Sequence, residues 1–164
     1  MRLLIALWTV AAAFGAEPFH EICGVCHTTA AEDFLSHPHA SQGLDCNVCH
    51  GESVRHREAA GAAPPDRVAA PHQVPELCGG CHAEQGESFG GSAHGKLVAA
   101  KERAPHCGTC HDVHRVRPAR AVERRCSNCH QELPQACSEE PPAGATAAVR
   151  CAACHAPHRF SPSI

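Results

Sequence analysis

Cysteine and histidine recur in this 164-residue chain as one pentapeptide, Cys-x-x-Cys-His, which occurs six times. Two thiols three positions apart, followed directly by an imidazole, could bind a metal ion or attach a flat cofactor with a metal at its centre. The copies run from Cys23 to His27, Cys46 to His50, Cys78 to His82, Cys107 to His111, Cys126 to His130 and Cys151 to His155. Of the thirteen cysteines, only Cys137 lies outside them.

This spacing matches the attachment motif of c-type haem. The two thiols can reach the two vinyl groups along one edge of the porphyrin, and the adjacent histidine binds the iron. The predicted attachment residues are Cys23, Cys26, Cys46, Cys49, Cys78, Cys81, Cys107, Cys110, Cys126, Cys129, Cys151 and Cys154. The predicted proximal iron ligands are His27, His50, His82, His111, His130 and His155. We therefore predict six haem c groups, with iron, as cofactors.

Zinc is the alternative, because pairs of Cys-x-x-Cys knuckles also form zinc ribbons. A ribbon held by four cysteines needs no histidine, whereas a histidine follows the second cysteine in all six copies here. This complete repetition favours haem. We predict no catalytic residues.

Histidine is also the expected second axial ligand. Methionine and tyrosine are two other common haem ligands. The sole methionine is Met1, which is expected to be removed with a signal peptide, and the chain has no tyrosine. Of the nine histidines outside the motifs, we predict six as distal ligands: His39, His56, His72, His94, His114 and His158. His20, His37 and His106 are expected to be exposed polar residues or partners of haem propionates. Which iron each distal histidine serves is left open.

An internal repeat groups the motifs in pairs. At an offset of 55 residues the first and third motifs align without gaps, and Phe34 and His39 coincide with Phe89 and His94. The three predicted haem pairs occupy about residues 17–58, 72–118 and 119–164. The third is degraded, with Pro142 at the position of the repeated histidine.

Two further candidate distal ligands share a different position relative to their motifs. His114 and His158 each follow a motif histidine by three residues, which is too close for binding the same iron, so we expect them to serve neighbouring haems.

The composition predicts a small fold built around its cofactors. After residue 16 the chain has four phenylalanines, no tryptophan and no tyrosine, and roughly 25 residues for each motif leave little polypeptide for a core of its own. We predict a mostly irregular fold with short α-helices, a haem-packed core and no significant sheet. Helices are expected at Thr29 to Ser36, with a capping box at its start, and at Lys96 to Arg103. Ala59 to Pro75 and Gln135 to Arg150 are predicted linkers.

Residues 1–16 have the pattern of a secretory signal peptide, with Arg2, an apolar run and small residues at Ala13 and Gly15. A retained membrane anchor is disfavoured because the run is short. We predict that residues 17–164 form one exported domain, in the periplasm, with extracellular or outer-membrane-associated positions as alternatives.

The formal charge of −3, made more negative by haem propionates, argues against a nucleic-acid partner. A cluster of arginines either pairs with these propionates or forms a solvated basic face. Its members are Arg115, Arg117, Arg120, Arg124 and Arg125.

Three segments carry a resemblance: Phe34-x4-His39-Ala, Cys49-His50-Gly-x4-His56 and Cys154-His155-Ala-Pro-His158. Together with the motifs, the chain resembles the exported multihaem cytochromes c, in particular the decahaem electron carriers of metal- and sulfoxide-reducing respiratory chains. The resemblance implies haems stacked in a row that pass electrons from edge to edge. It also implies redox proteins as partners, such as quinol-oxidising or other cytochromes, a terminal reductase, or a membrane-associated respiratory complex.

Two imidazoles at every iron leave no position for a substrate, which favours an electron carrier of low reduction potential over an enzyme. One alternative is a multihaem reductase of the nitrite, hydroxylamine or tetrathionate type with one open haem, which we would expect in the third pair. Another is a subunit of an extracellular cytochrome filament in which a histidine crosses between chains.

Overall fold

The computed structural model describes residues 17–118, 121–122, 125–131, 151 and 155–160. The α-helices are α1 Phe19–Gly24, α2 Thr28–Leu35, α3 Pro38–Ser41, α4 Cys46–His50, α5 Val54–Glu58, α6 Val74–Gly79, α7 Ala83–Gly90, α8 Ala93–Ala99 and α9 Cys107–Cys110. Two 3-10 helices span Pro71–Gln73 and Cys126–Asn128. No β-strand occurs in these ranges, so the prediction of a small fold of short helices without a sheet is confirmed.

None of the described helices has the length and apolar character needed to cross a lipid bilayer. Several predictions fall on other parts of the chain. The signal peptide, Cys137, Pro142, Cys154, Arg120, Arg124 and the second predicted linker lie outside the described residues.

The sequence repeat is also a structural repeat. Helix α1 packs on α2, and α6 packs on α7 in the equivalent way. Small residues face each other at both crossings, Gly24 with Ala31 and Gly79 with Gly86. A Cβ atom added to Gly86 would lie 3.1 Å from the Cα atom of Gly79. Close helix approach therefore folds the first motif of each of these two pairs against the segment that follows it.

The two predicted helices are present with shifted ends. Helix α2 begins and ends one residue before the predicted limits, and the capping box at Thr29 is wrong, because the N-cap is His27 and no side chain caps the helix. Helix α8 replaces the predicted helix at Lys96 to Arg103 and starts three residues earlier. It does so because the Ser92 hydroxyl accepts a hydrogen bond from the Gly95 N–H at 2.9 Å.

The first predicted linker packs onto the motif before it. The Asp66 carboxylate accepts a hydrogen bond from the Ser53 N–H at 2.8 Å, and the Ser53 hydroxyl accepts one from the Asp66 N–H at 3.1 Å. Gly51, at φ +74°, lies directly under Asp66, where a Cβ atom would approach to 2.8 Å. This segment is therefore held against α4 and α5 rather than joining two independent units.

The polypeptide provides very little apolar core. Among the described residues, the buried hydrophobic side chains are Phe34, Phe89 and Val98, and no large side chain is fully buried. Phe34 and Phe89 are repeat equivalents, each the last but one residue of its helix, α2 or α7. Because burial of apolar surface is the main stabilising contribution to folding, a core of this size needs added apolar surface from a cofactor.

Gly95 offers a test of the packing between α7 and α8. A Cβ atom there would meet the carbonyl oxygen of Phe89 and would lie 2.8 Å from its carbonyl carbon. We expect G95A to lower the free energy of unfolding of the holoprotein by about 1–3 kcal/mol, the usual cost of overpacking. Urea titration followed by circular dichroism measures the change.

G90A is the matched control, since nothing lies within 4 Å of a Cβ atom at Gly90. It should leave stability unchanged or raise it slightly, because alanine restricts the unfolded chain more than glycine does. Equal stability of the two variants would contradict the close packing at Gly95.

Candidate functional site

The first five motifs each form one turn of helix, and in the sixth the described residues Cys151 and His155 are joined by the same hydrogen bond. The N–H of the motif histidine donates to the carbonyl of the first cysteine at 2.8–2.9 Å in five motifs, and in the second motif α4 spans Cys46–His50. Residues three apart lie on the same side of a helical turn, so in the first five motifs the turn presents both cysteines together. The Asp45 carboxylate caps α4 by accepting a hydrogen bond from the Cys46 N–H at 2.7 Å. The local fold thus presents the two thiols as one edge.

All eleven described cysteines carry free thiols. The described residues contain no group of three or more histidine, cysteine, aspartate or glutamate side chains arranged to hold a metal ion. A structural zinc site usually needs four such ligands, whereas a haem iron needs only two from the protein. The described thiols are therefore available for thioether formation.

Five motif histidines each face one histidine from elsewhere in the chain. The ring centroids are 5.9–6.0 Å apart in all five pairs, while the angle between the ring planes varies from 15° to 47°. The pairs are His27 with His56, His50 with His114, His82 with His39, His111 with His158 and His130 with His94.

Direct stacking of the two rings does not explain why the distance between ring centroids stays constant while the angle between the ring planes varies. A metal bound to one nitrogen of each ring at about 2 Å would hold the centroids roughly 6 Å apart at any rotation of the rings. The five pairs therefore have the spacing that an iron between two imidazoles requires, and the residues present fit a haem at these places.

Backbone carbonyls orient three of the histidines. The Nδ1 atom of His50 lies 3.1 Å from the carbonyl oxygen of Arg67, that of His56 2.7 Å from Ala63, and that of His155 3.2 Å from Phe160. An Nδ1–H that donates to a carbonyl leaves Nε2 free of its proton, as a metal ligand requires.

The predicted linker provides two of these carbonyls, Ala63 and Arg67. The sequence analysis did not find them, because a carbonyl is present at every residue and leaves no mark in the composition.

Burial lowers the pKa of His39, His94, His111 and His114, and in each case a facing histidine lowers that pKa further. Neutral imidazole is the form that binds a metal, because a proton on Nε2 would occupy the position of the iron. The protein environment therefore favours the ligand form of these side chains.

Contacts between thiols arrange the motifs in chain order. Within each pair the first cysteines lie close enough to interact: Cys23 with Cys46, Cys78 with Cys107, and Cys126 with Cys151. Between pairs, Cys49 lies close to Cys78 and Cys81, and Cys110 lies close to Cys126 and Cys129. The attachment edges thus form a row from the first motif to the sixth.

All fifteen histidines lie in the described ranges. Five of the six predicted distal histidines face a motif histidine, whereas His72 is exposed in the 3-10 helix Pro71–Gln73 and faces none. His155 faces no other histidine ring among the described residues.

The three spare histidines have other surroundings. His20 Nδ1 lies 3.1 Å from the Asp45 carboxylate, and His37 Nδ1 accepts a hydrogen bond from the His39 N–H at 3.2 Å. His106 Nδ1 is buried without a hydrogen-bond partner in the described part of the chain, and burial lowers the pKa of His106.

Three arginines of the predicted cluster are described, and each has a partner within the protein. Arg115 pairs with Asp33 at 2.7 Å, Arg117 with Asp112 at 2.8 Å, and Arg125 donates to the Thr109 carbonyl at 2.7 Å. Arg117 and Arg125 also line a cavity of about 480 Å³ beside the fifth motif. Two guanidinium groups in one cavity suit an anionic group such as a propionate.

Residues 77–156, just under half of the chain, match the family model described as cytochrome c554 and c-prime. This match supports a c-type cytochrome. It covers the third to the sixth motif and supports haem-based electron transfer. No curated protein and no solved structure matches the chain.

Proposed function

We propose that this chain carries electrons along a row of six covalently attached haem c groups. The observation that supports this best is the set of five histidine pairs with centroids 5.9–6.0 Å apart. A redox group with both axial positions taken by protein side chains can gain and lose an electron but offers no place for a substrate. Electron transfer, rather than catalysis, is the function that this geometry favours.

The protein side chains would hold the six groups close together and in order. The contact between the first cysteines within a pair brings two attachment edges side by side, and Cys49 and Cys110 extend the row across the pair boundaries. Distal histidines that reach from one pair to another fasten neighbouring pairs together. Imidazole in place of methionine sulfur at these irons favours low reduction potentials.

We also propose that the mature chain is an exported, periplasmic protein that exchanges electrons with other redox proteins. The partners would be cytochromes or quinol-oxidising proteins on one side and a terminal reductase on the other, in solution or in a membrane-associated complex. Support comes from the signal-like residues 1–16 and from the six attachment motifs.

Mass spectrometry of the exported protein tests the haem count. We expect the mature polypeptide to carry the added mass of six haems, and the pyridine haemochrome assay to give six haems per chain. The same chain produced in the cytoplasm without haem attachment is the control and should have the mass of bare polypeptide. Exported protein with that bare mass, or with zinc in place of haem, would refute the proposal.

A further inference from the structure

Residues 63–67, in the middle of the first predicted linker, contact an axial imidazole at two proposed haem sites. The Ala63 carbonyl oxygen lies 2.7 Å from Nδ1 of His56, the distal histidine that faces the first motif. The Arg67 carbonyl oxygen lies 3.1 Å from Nδ1 of His50, the motif histidine of the second motif. One stretch of five residues therefore reaches both sites of the first pair.

The two imidazole pairs that this segment reaches are also the most nearly parallel. The ring planes are 15° apart for His27 with His56 and 21° apart for His50 with His114, against 25°, 34° and 47° in the other three pairs. A hydrogen bond from Nδ1–H to a fixed carbonyl restricts the rotation of an imidazole as well as its tautomer. At the two sites with the smallest angles, one ring of the pair is held in this way.

Asp66 fastens the segment to the helices beneath it. Its carboxylate accepts a hydrogen bond from the Ser53 N–H at 2.8 Å, and its own N–H donates to the Ser53 hydroxyl at 3.1 Å. Ser53 is 8% exposed, and its hydroxyl donates to the His50 carbonyl at 3.0 Å. Ser53 is also the N-cap of α5, the helix that carries His56. The two reciprocal bonds thus attach the segment to the chain between the two imidazoles.

Two features of the sequence that the haem motifs do not require serve this contact. The chain between the second and third motifs is about twice as long as the chain between the fourth and fifth. The second motif is also the only one followed by glycine. Gly51 has φ +74°, and a Cβ atom there would lie 2.8 Å from the Cβ atom of Asp66. The equivalent residue of the second pair is Asp112, whose carboxylate accepts hydrogen bonds from backbone N–H groups of its own turn.

We propose that Asp66 is a positioning residue that lowers the reduction potentials of the first and second haems. It does so by holding the Ala63 and Arg67 carbonyls against the two axial imidazoles. An imidazole whose Nδ1–H donates to a carbonyl is a more basic ligand. A more basic ligand stabilises ferric iron more than ferrous iron, and the potential therefore falls. This inference rests on the proposed haem attachment.

Redox titration of the fully loaded protein, followed by electron paramagnetic resonance, tests this role. In D66A we expect two of the six potentials to rise. A tenfold change in the relative stability of the two oxidation states, the lower end of the usual effect of such partners, corresponds to about 59 mV for one electron. The g values of two oxidised low-spin haems should change as well, because they depend on the angle between the imidazole planes.

D66N is the matched control for the charge of Asp66. The asparagine side-chain oxygen can still accept the hydrogen bond from the Ser53 N–H, although the negative charge is lost. We therefore expect D66N to keep potentials and g values close to those of the wild type.

Haem deletions identify the two groups whose potentials rise. D66A combined with C23A/C26A should shift the second haem alone, and D66A combined with C46A/C49A should shift the first alone. Each variant is compared with the same deletion carrying Asp66. The first haem is the more diagnostic, because the segment reaches its ligand His56 only through the Ala63 carbonyl.

G51A tests the same contact without a change of charge and does so independently of D66A. The added Cβ atom displaces Asp66, so the same two potentials should rise. G43A is its control, because Gly43 has a similar φ of +77° but nothing within 4 Å of a Cβ atom. It carries the same backbone strain and should leave all six potentials unchanged.

The outcomes separate this inference from the proposed function. Fewer than six haems in the wild type would count against the haem attachment itself. With six haems present, equal shifts in D66A and D66N would show an effect of charge, and shifts spread over all six haems would show a general loosening of the fold. A shift of the second haem alone, or unchanged potentials in D66A and G51A, would show that the carbonyls do not depend on Asp66. Each of these results would overturn the positioning role alone.

Discussion

Removal of the third haem should disconnect the first two haems from the last three. In the variant C78A/C81A five haems remain, but the row of attachment edges is interrupted between Cys49 and Cys107. When the mature protein is tethered to an electrode through its N-terminal end, close to the first motif, we expect cyclic voltammetry to register six electroactive haems in the wild type and only two in this variant. The physical reason is that electron tunnelling decays steeply with distance.

A second variant makes this test quantitative. C46A/C49A also keeps five haems, but the break falls after the first, so one haem should stay electroactive. C151A/C154A is the matched control, because it removes an end of the row and should leave five connected haems. The number of electroactive haems therefore depends on the position of the deletion, although all three variants carry the same haem content.

Five electroactive haems in every variant would contradict a single row in chain order. It would mean that the haems form a branched or compact cluster with several routes between its ends. Haem content by the pyridine haemochrome assay and helix content by circular dichroism verify that each variant is loaded and folded before the electrode measurement.

The repeat offset of 55 residues explains why part of this structure could be predicted from the sequence. It aligns α1 with α6 and α2 with α7, and it gives Phe34 and Phe89 equivalent buried positions. A one-turn motif is a local structure, set by residues within five positions of each other. Such local features are carried by residue type and spacing alone.

The partners of the distal histidines could not be predicted in the same way. His39 lies between the first two motifs but faces His82 of the third. That pairing depends on where α3, which carries His39, lies relative to the third motif, and this is a property of the assembled chain. The exposed position of His72 is likewise set by tertiary structure. The sequence cannot distinguish a histidine that binds an iron from an exposed one, because both stand at the same spacing from a motif.

The start of helix α2 shows a related limit of prediction from the sequence. Thr29 and Glu32 match a capping box, but helix α2 begins at Thr28 with His27 as its N-cap, and the His27 carbonyl accepts a hydrogen bond from the Ala31 N–H at 3.0 Å. Thr29 therefore lies inside the first turn, where its side chain cannot act as the N-cap.

Replacement of His39 should open the third haem rather than either of the haems whose motifs flank it in sequence. Burial, His37 and His82 lower the pKa of His39, which favours the neutral imidazole that can bind iron. Without this ligand, the iron above His82 loses one of its two imidazoles. We expect H39A to bind one more equivalent of carbon monoxide than the wild type.

Haem deletions identify which iron has been opened. The added equivalent should disappear in H39A/C78A/C81A, where the third haem is missing, and should persist in H39A/C46A/C49A, where the second is missing. Because each result is compared with the same deletion carrying His39, the assignment does not depend on the state of the sixth haem. Loss of the added equivalent with the second haem instead would show that His39 binds within its own pair, and the ligand exchange between pairs would then be wrong.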